Sequence, residues 1–514
     1  MGFPYVLYLI SQIFIYILVP YICLLVSYRL ILHPLAGYPG PFWGKISDGY
    51  GGFHAALRRL HLITYENHIK YGSVVRQGPN RLVFNTVEAL QDIYLNPRVD
   101  KSSLYSLAKM STQNNIFDTV DVREHRRKRK IISQAIAERS VRMFEPTMSE
   151  QIDIFIKQLA NSCRLSESIN ISKRCMWLGG DIVGHLAFGY PLETQTDSSN
   201  RWLQSDLSLA SARINVYMQA PIVRNIEPLL RVLFAKAVAR SFEITSKMIR
   251  TRLALDKHAK RDLYSFAADH MTNSESLEDS ELWPEAFFFI IAGGNTAATV
   301  MSAMFFYLSR YPECYKRLAG EVRANFHAAD EIQSGEQLRR CDYLRACINE
   351  TLRLSPPNTG TLWRQELADD KTRGPLVVDG HVIPPGTELG VNMYSIHHNP
   401  KYFPDPFVFR PERWLESSTD QLSVMQKAWA PFTVGAHSCP GKAVAYLELS
   451  LVFARTFWYF DFEAAPGDLG HLGAGKVGSL YGRDNPNEYQ LYDTFSAMHD
   501  GPVLVLRNRE ATGE

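Results

Sequence analysis

The most informative stretch of the sequence is FTVGAHSCPG, residues 432–441. Gly435 allows a tight turn or a positive φ, and Gly441 allows the backbone to approach another group closely. Cys439 lies between these glycines, just before a helix that the sequence predicts from about residue 441 to 460. Backbone N–H groups at a helix start, together with the helix dipole, favour a thiolate over a thiol. Cys439 is therefore a candidate metal ligand.

The alternative for Cys439 is a buried and inert thiol, which describes most lone cysteines. Against this, the pattern F-x-x-G-x-x-x-C-x-G is expected by chance with a probability on the order of one in a thousand for this composition. The pattern continues to Ala445 and resembles the cysteine loop of the cytochrome P-450 superfamily. The resemblance implies that Cys439 is the proximal thiolate ligand of a haem b and that Phe432 packs near it. It also implies that Gly435 and Gly441 shape the cofactor site.

A second group of candidate residues is structural. Glu350 and Arg353 lie three apart in an apolar helical stretch around residues 344–354, so they share one helix face and can pair. The spacing E-x-x-R alone carries little weight, because it is expected about once or twice by chance in a chain of this length. It gains weight from PERW, residues 411–414, which comes shortly before the cysteine. The resemblance implies that Glu350, Arg353 and Arg413 form a buried triad that holds the cysteine loop.

A third candidate region is a long apolar helix from about residue 284 to 311, which contains AGGNT at residues 292–296. Two adjacent glycines weaken a helix by roughly 1 kcal/mol each relative to alanine, which usually marks a kink, a bulge or a ligand against the backbone. The Thr296 hydroxyl either serves chemistry or donates back to a carbonyl one turn earlier. The resemblance implies that this helix covers the distal side of the haem and that Thr296 helps to deliver protons. Asn295 stands where the family often has an acid, and an amide orients water but does not shuttle a proton. Thr296 and Asn295 are the catalytic candidates.

A basic run, REHRRKRK at residues 123–130, is typical of a solvated helix face. Apolar residues follow it directly, which predicts that one side of this helix is buried. The resemblance implies that Arg129 and His125 stand where the family's third helix contacts a haem propionate. By the same resemblance, His437 and Arg364 are further propionate candidates. The outward charges predict a docking face for an acidic electron donor, through steering that salt would weaken.

The N-terminal segment differs in composition from the rest of the chain. No Lys, Arg, Asp or Glu occurs before Arg29, and the apolar run suits a hydrocarbon core of ~30 Å, which ~20 residues can cross. A cleaved signal peptide fits less well, because no positive segment precedes the run and no small-residue cleavage site follows. Basic residues after the run place the bulk of the chain in the cytosol. We expect a transmembrane anchor at residues 1–28, a Pro- and Gly-rich hinge at 29–42 and one haem-binding catalytic domain at 43–514.

The rest of the chain predicts a mainly α fold with a minor β region, and by the resemblance the cytochrome P-450 fold. Short strands are expected at residues 74–77 and 81–84 and beyond residue 357. Helix breaks are expected near Gly179-Gly180 and in the polar stretch 272–280. The seven cysteines form no C-x-x-C pair, which argues against a zinc ribbon or a disulfide scaffold and for a reducing compartment. A net charge of +2 gives no reason to expect nucleic acid.

The resemblance covers almost the whole chain and is greatest to filamentous-fungal microsomal members of secondary metabolism. It implies a monooxygenase that inserts one oxygen atom of O2 into a lipophilic small molecule by hydroxylation or epoxidation. Electrons would come from NADPH through a membrane-bound flavoprotein reductase, with the protein in the endoplasmic reticulum membrane as a single-pass chain. Two alternatives are an oxygen-independent rearrangement or dehydration on the same haem, and a membrane haem protein without catalysis. Thr296 argues against the first. The absence of His, Met and Cys between Ile290 and Val300 argues against the second.

Overall fold

The computed structural model describes residues 12–109, 112–136, 138–256, 259–260, 262–267, 282–367 and 374–509. Helices dominate these residues, as the sequence predicts, and one polar stretch with an expected helix break, 272–280, lies outside them. The helices run at Phe14–Leu32, Phe42–Ile46, Gly49–Ala56, Leu60–Tyr71, Val87–Tyr94, Val122–Ala135, Glu138–Arg164, Ile171–Phe188, Trp202–Gln219, Glu227–Leu253, Leu263–Ala267, Leu282–Arg310, Pro312–Asn325, Glu336–Arg339, Asp342–Leu354, Met393–His397, Thr419–Ala428 and Lys442–Tyr459. Short 3-10 turns lie at Ser103–Ala108, Pro221–Ile226, Ala329–Glu331, Pro411–Trp414, Gly435–His437 and Gly467–His471.

The β portion comes from segments that are distant along the chain. The five-stranded sheet has, in spatial order, the strands Val74–Gly78, Arg81–Phe84, Glu388–Val391, Arg364–Glu366 and Val99–Lys101. All neighbours in it are antiparallel except the second and third strands, which are parallel. A three-stranded sheet joins Ser168–Asn170, Val503–Asn508 and Phe460–Ala464, and a hairpin joins Leu376–Val378 to His381–Ile383. The predicted strands at residues 74–77 and 81–84 are therefore confirmed.

Three helices contribute to the largest buried apolar cluster and carry the residues of the site. We name them the glycine helix, Leu282–Arg310, the triad helix, Asp342–Leu354, and the post-cysteine helix, Lys442–Tyr459. Each begins and ends within two residues of the predicted bounds. The glycine helix is buried continuously from Ala297 to Leu308, and the post-cysteine helix from Glu448 to Phe457, as expected of helices that lie inside a protein core.

The prediction of a helix break near Gly179-Gly180 is wrong. The helix Ile171–Phe188 runs through both glycines without interruption. A Cβ atom on Gly179 would lie 2.5 Å from the carbonyl oxygen of Gly294 in the glycine helix. The glycines of the two helices therefore allow their backbones to touch, and this close packing offsets the ~1 kcal/mol that each glycine costs. The same contact gives a reason for glycine at residue 294, so the sequence there does not require a kink in the glycine helix.

Two helices are long and apolar enough to cross a membrane by length and composition. The first, Phe14–Leu32, has a mean hydropathy of 2.1, and none of its residues is buried in the protein. The second, Trp283–Arg310, is mostly buried inside the protein and belongs to the core. The first helix continues four residues into the segment predicted as hinge. Arg29 near its end donates to the carbonyl oxygen of Ile46 at 2.5 Å, which ties the helix to the globular part.

Candidate active site

The cysteine loop, residues 432–441, is a compact turn closed by its own backbone. The Cys439 N–H donates to the Phe432 carbonyl oxygen at 2.8 Å, and the Ser438 N–H donates to that of Gly435 at 3.0 Å. Gly435 has a φ of +77°, and a Cβ atom there would collide with the carbonyl oxygen of Tyr94. The turn that the sequence predicts at Gly435 thus requires glycine for two separate reasons, its positive φ and this contact. Gly441 directly precedes the post-cysteine helix.

We expect Gly435→Ala to destabilise the loop by about 1–3 kcal/mol from backbone strain alone, with a further cost from the contact with Tyr94. Haem content and the thermal midpoint should both fall. Gly386→Ala is the matched control, because Gly386 has a φ of +80° and nothing within 4 Å of an added Cβ. Equal losses in the two variants would contradict the role assigned to the Tyr94 contact.

The Cys439 thiol is accessible, yet the protein around it raises its pKa above the ordinary value by burial. The Gly441 backbone N–H and the Arg129 and Lys442 cations act in the opposite direction. The helix start therefore lowers the pKa of Cys439, as predicted, but desolvation raises this pKa by more. Cys439 is thus an exposed residue whose thiol the surrounding protein nevertheless desolvates. A bound metal cation would deprotonate it.

The donor set fits haem better than a bare metal ion. Among the residues that the structure describes, no group of three or more His, Cys, Asp or Glu side chains is arranged to hold a metal. A lone accessible thiol suits a metal whose other ligands come from a prosthetic group. Arg129 donates to the Ser438 carbonyl oxygen at 2.5 Å, so a guanidinium with five N–H groups lies beside the cysteine. Such groups pair well with carboxylates like those of haem.

The other predicted propionate candidates lie in one buried area. His125 Nε2 is 3.2 Å from His437 Nδ1, and their ring centroids are 4.2 Å apart. His437 Nε2 is 2.8 Å from Asp100 Oδ1. The buried Arg364 donates to the hydroxyl of Tyr105 at 3.2 Å. The structure thus brings His125 and His437 into contact with each other.

Glu350, Arg353 and Arg413 meet in the interior, and all three side chains are essentially inaccessible. Arg353 donates to both carboxylate oxygens of Glu350, at 2.9 and 3.0 Å, and Arg413 Nε donates at 2.9 Å. The Trp414 indole N–H also donates to Glu350, at 3.0 Å. Burial raises the pKa of Glu350, but the two arginines and these hydrogen bonds outweigh it and hold the pKa below its usual value.

Two contacts connect this triad to the cysteine loop. The Trp429 indole N–H donates to the Asn349 carbonyl oxygen at 3.2 Å, just before Glu350 in the triad helix. Arg353 donates to the carbonyl oxygen of His397 at 2.9 Å, and the His397 ring accepts from the Ala430 N–H at 3.0 Å. The segment that leads into the loop is therefore fixed to the triad from two sides.

The two catalytic candidates of the glycine helix point in different directions. The half-buried Thr296 hydroxyl donates to the Ala292 carbonyl oxygen at 2.7 Å. This bond to the preceding helical turn is one of the two alternatives that the sequence allowed for Thr296. Because the hydroxyl acts as a donor in this bond, its oxygen can still accept a hydrogen bond from another group. Asn295 is buried, and its amide donates to the Ser208 hydroxyl at 3.3 Å on the helix Trp202–Gln219. The structure does not bring the Asn295 amide to the Thr296 hydroxyl.

Sequence reasoning assigned no role to several residues that contact these groups, among them Asp100, Trp414 and Phe495. Trp414 lies within the PERW motif, so its position was a usable signal. Asp100 and Lys101 belong to a three-residue strand whose register places Lys101 opposite Arg364. No local pattern in the sequence reveals that register, because the two strands are more than 260 residues apart.

Comparison with known proteins agrees with this geometry. A family model described as cytochrome P-450 matches residues 49–472, which include the cysteine loop. The chain is 34% identical to the cytochrome P-450 monooxygenase AKT7 of Alternaria alternata over 98% of both chains. It is 32% identical to the monooxygenase apf7 of Gibberella fujikuroi, over 98% of this chain and 100% of that protein. It is also 34% identical to the monooxygenase poxM of Penicillium oxalicum, over 94% and 92% of the two chains.

Proposed function

Because the chain belongs to the cytochrome P-450 family and is a monooxygenase, we propose that it inserts one oxygen atom of O2 into a lipophilic small molecule. The step would be a hydroxylation or epoxidation in fungal secondary-metabolite biosynthesis. The observation that carries the proposal is the accessible Cys439 thiol, held in a turn that only glycine at residue 435 permits. Family membership implies haem b as the cofactor.

The chain's own residues have separate tasks in this reaction. Haem bound through Cys439 would supply the activation of O2, which electron donation from the thiolate favours. Glu350, Arg353 and Arg413 keep the cysteine loop in place. Arg129 and Arg364 offer guanidinium donors for the haem carboxylates. Thr296 would supply a hydroxyl that accepts a proton and passes it on during the reaction.

An aromatic wall supports a lipophilic substrate. Phe117 and Phe288 stack with centroids 5.5 Å apart, and Phe495 meets Phe117 edge-on at 4.9 Å. These half-buried rings come from three distant segments. The Lys101 ammonium group donates to the carbonyl oxygens of Ile116 and Phe117, at 2.6 and 2.9 Å, and so fixes the segment that presents Phe117. Such a wall favours an apolar ligand over a hydrated one.

The exposed half of the basic helix, Val122–Ala135, supports an acidic electron donor. His125 and Lys128 are buried, and Lys128 pairs with Glu285 at 3.2 Å. The outward residues are Arg123, Arg126, Arg127 and Lys130. We therefore propose that this face receives a flavoprotein reductase that passes on electrons from NADPH. The exposed helix Phe14–Leu32 supports a single-pass anchor in the endoplasmic reticulum membrane, with the catalytic domain in the cytosol.

The test uses the full chain in microsomes with NADPH and a fungal reductase. The substrate pool is the lipophilic extract of a strain in which the gene is deleted. We expect a product that carries one heavy oxygen atom when the reaction runs under isotopically heavy dioxygen. Conversion without the label, or conversion in the absence of O2, would instead establish the oxygen-independent rearrangement or dehydration.

We expect Thr296→Ala to retain haem but to lower product formation by at least about tenfold, because general acid–base assistance typically contributes 10²–10⁴-fold. NADPH consumption should continue, with reducing equivalents lost as hydrogen peroxide. The measurement is the ratio of product to NADPH consumed. Ser302→Ala is the matched control, since this hydroxyl lies in the same helix, is fully buried and donates to the Ala298 carbonyl oxygen. Unchanged coupling in Thr296→Ala would refute the proton role.

A further inference from the structure

Three basic side chains meet where the first helix joins the globular part of the protein. Arg29 lies near the end of that helix, Lys45 in the short helix that follows it and Arg76 in the first strand of the five-stranded sheet. Arg76 Nη1 donates to the Arg29 carbonyl oxygen at 2.8 Å. The Arg29 guanidinium in turn donates to the carbonyl oxygen of Ile46, the residue after Lys45. We name Arg29, Lys45 and Arg76 the junction cluster.

The buried arginine of this cluster has no acidic partner among the residues that the structure describes. Arg76, Arg252 and Arg353 are all fully buried. Arg252 pairs with Asp262 at 2.5 Å and Arg353 with Glu350 at 2.9 Å, as is usual for buried charges. The Arg76 guanidinium instead donates only to backbone carbonyl oxygens. Its positive charge is therefore not neutralised by a carboxylate in the described part of the chain.

The charges of the junction cluster repel one another. Burial and the charge of Arg76 lower the pKa of Lys45, and burial and the charge of Arg29 lower the pKa of Arg76. No acid acts on either group to raise its pKa. Within the described residues the Lys45 ammonium makes no hydrogen bond, and Arg29 uses one of its five N–H groups. The cluster thus combines unused donors with excess positive charge, and a bound anion would offset that charge.

The residues next to the cluster are typical of a membrane–water interface. The helix Phe14–Leu32 carries exposed apolar side chains. Phe42 and Trp43, in the same short helix as Lys45, are 54% and 64% exposed and pack edge-to-face with ring centroids 5.4 Å apart. Aromatic side chains are enriched at the headgroup level of a bilayer, and a long basic side chain near the end of a span reaches the same level. The anions at that level are the phosphate groups of lipids.

Basic residues after an apolar span also direct its insertion, and that role needs only a positive charge near the membrane. Lys45 and Arg29 would satisfy it without any further contact. It gives no reason for Arg76, whose buried guanidinium joins the carbonyl oxygens of Arg29 and Pro79. A defined anion site accounts for all three cations.

We propose that the junction cluster binds the phosphate of an anionic phospholipid headgroup in the cytosolic leaflet. Lys45 and Arg29 donate hydrogen bonds to the phosphate, and Arg76 adds its charge from within the protein. The bound headgroup offsets the repulsion among the three cations and so strengthens the connection between the first helix and the catalytic domain. The proposal rests on the membrane anchor of the proposed function.

The test measures lipid binding to the full haem-containing chain in non-ionic detergent micelles. The protein is titrated with phosphatidic acid or with phosphatidylcholine, and native mass spectrometry gives the fraction that carries one lipid. We expect phosphatidic acid to bind at least about fivefold more tightly, because one basic side chain near an anionic lipid surface contributes roughly that factor. Inorganic phosphate alone should give no stable adduct.

Variants of Lys45 show whether the junction cluster is the site. Lys45→Gln breaks no hydrogen bond within the described part of the chain, so we expect a folded protein whose binding of phosphatidic acid is about fivefold weaker. Lys45→Arg keeps the charge and should keep the preference for phosphatidic acid. Lys427→Gln, the same loss of charge at an exposed lysine of the helix Thr419–Ala428, is the control and should match the wild type.

Alkaline carbonate extraction of microsomes tests the anchor separately. A chain that carbonate releases would refute the anchor and the headgroup site together. A chain that stays in the membrane but binds both lipids equally, or whose preference survives Lys45→Gln, would refute only the headgroup site. A phosphate adduct that disappears in Lys45→Gln would overturn the assignment to a lipid and show a site for a soluble anion.

Discussion

The Cys439→Ser variant is expected to fold, to lose monooxygenase turnover completely and to lose the thiolate-type spectrum of its carbon monoxide complex. Serine is nearly isosteric with cysteine, and Cys439 is an exposed residue, so the substitution leaves the core unchanged. Its hydroxyl does not ionise near neutral pH, so it cannot replace a thiolate that donates electron density to iron. Turnover, haem content and the spectrum of the reduced protein are the measurements, and circular dichroism checks the fold.

Cys163→Ser is the matched control for this variant. Cys163 is a free, half-buried cysteine in the helix Glu138–Arg164, outside the cysteine loop and the triad. We expect its spectrum and turnover to equal those of the wild type. A Cys439→Ser protein that keeps the wild-type spectrum would mean that another residue binds the iron.

The Arg353→Ala variant should lose haem rather than become a slower enzyme. Its fully buried guanidinium makes two bonds to Glu350 and further bonds to the carbonyl oxygens of His397, Pro406 and Val408. Its removal leaves Glu350 with Arg413 as its remaining buried cation and takes a donor from three carbonyl oxygens. Removing a member of such a buried ionic network typically costs ~3–5 kcal/mol. Because His397 also receives the Ala430 N–H, the loss is transmitted to the segment before the cysteine. The ratio of haem to protein and the thermal midpoint measure the effect.

Arg340→Ala provides the comparison at the protein surface. Arg340 pairs with Glu336 at 3.2 Å, and its side chain is 73% exposed. Such a pair contributes about 0–1 kcal/mol, so haem content should not change. Arg353→Lys keeps the charge but cannot make the paired bonds to Glu350, and we expect an intermediate loss. A haem-replete Arg353→Ala protein would show that the triad does not hold the loop.

The parts of the fold that local pattern determines were predictable from the sequence. The glycine helix, the triad helix and the post-cysteine helix follow from apolar periodicity. The Gly435 turn follows from spacing around Cys439. The meeting of Glu350, Arg353 and Arg413 was expected only through the family resemblance, since E-x-x-R alone occurs by chance.

The parts that depend on contacts between distant segments were not predictable. Gly179 was predicted to break its helix. The sequence alone does not reveal that the backbone of Gly294, in another helix, contacts Gly179. Asp100 gave no signal, because its contact with His437 arises from packing across more than 300 residues of chain. The Thr296 hydroxyl could serve two roles, and its choice of the Ala292 carbonyl depends on the side-chain rotamer.

The central claim is that Cys439 binds haem iron as a thiolate, and the spectrum of the reduced wild-type protein under carbon monoxide tests it most directly. We predict the strongly red-shifted Soret band of a thiolate ligand in the freshly prepared full chain. A Soret band at the position typical of histidine-ligated carbonyl haem would contradict the account.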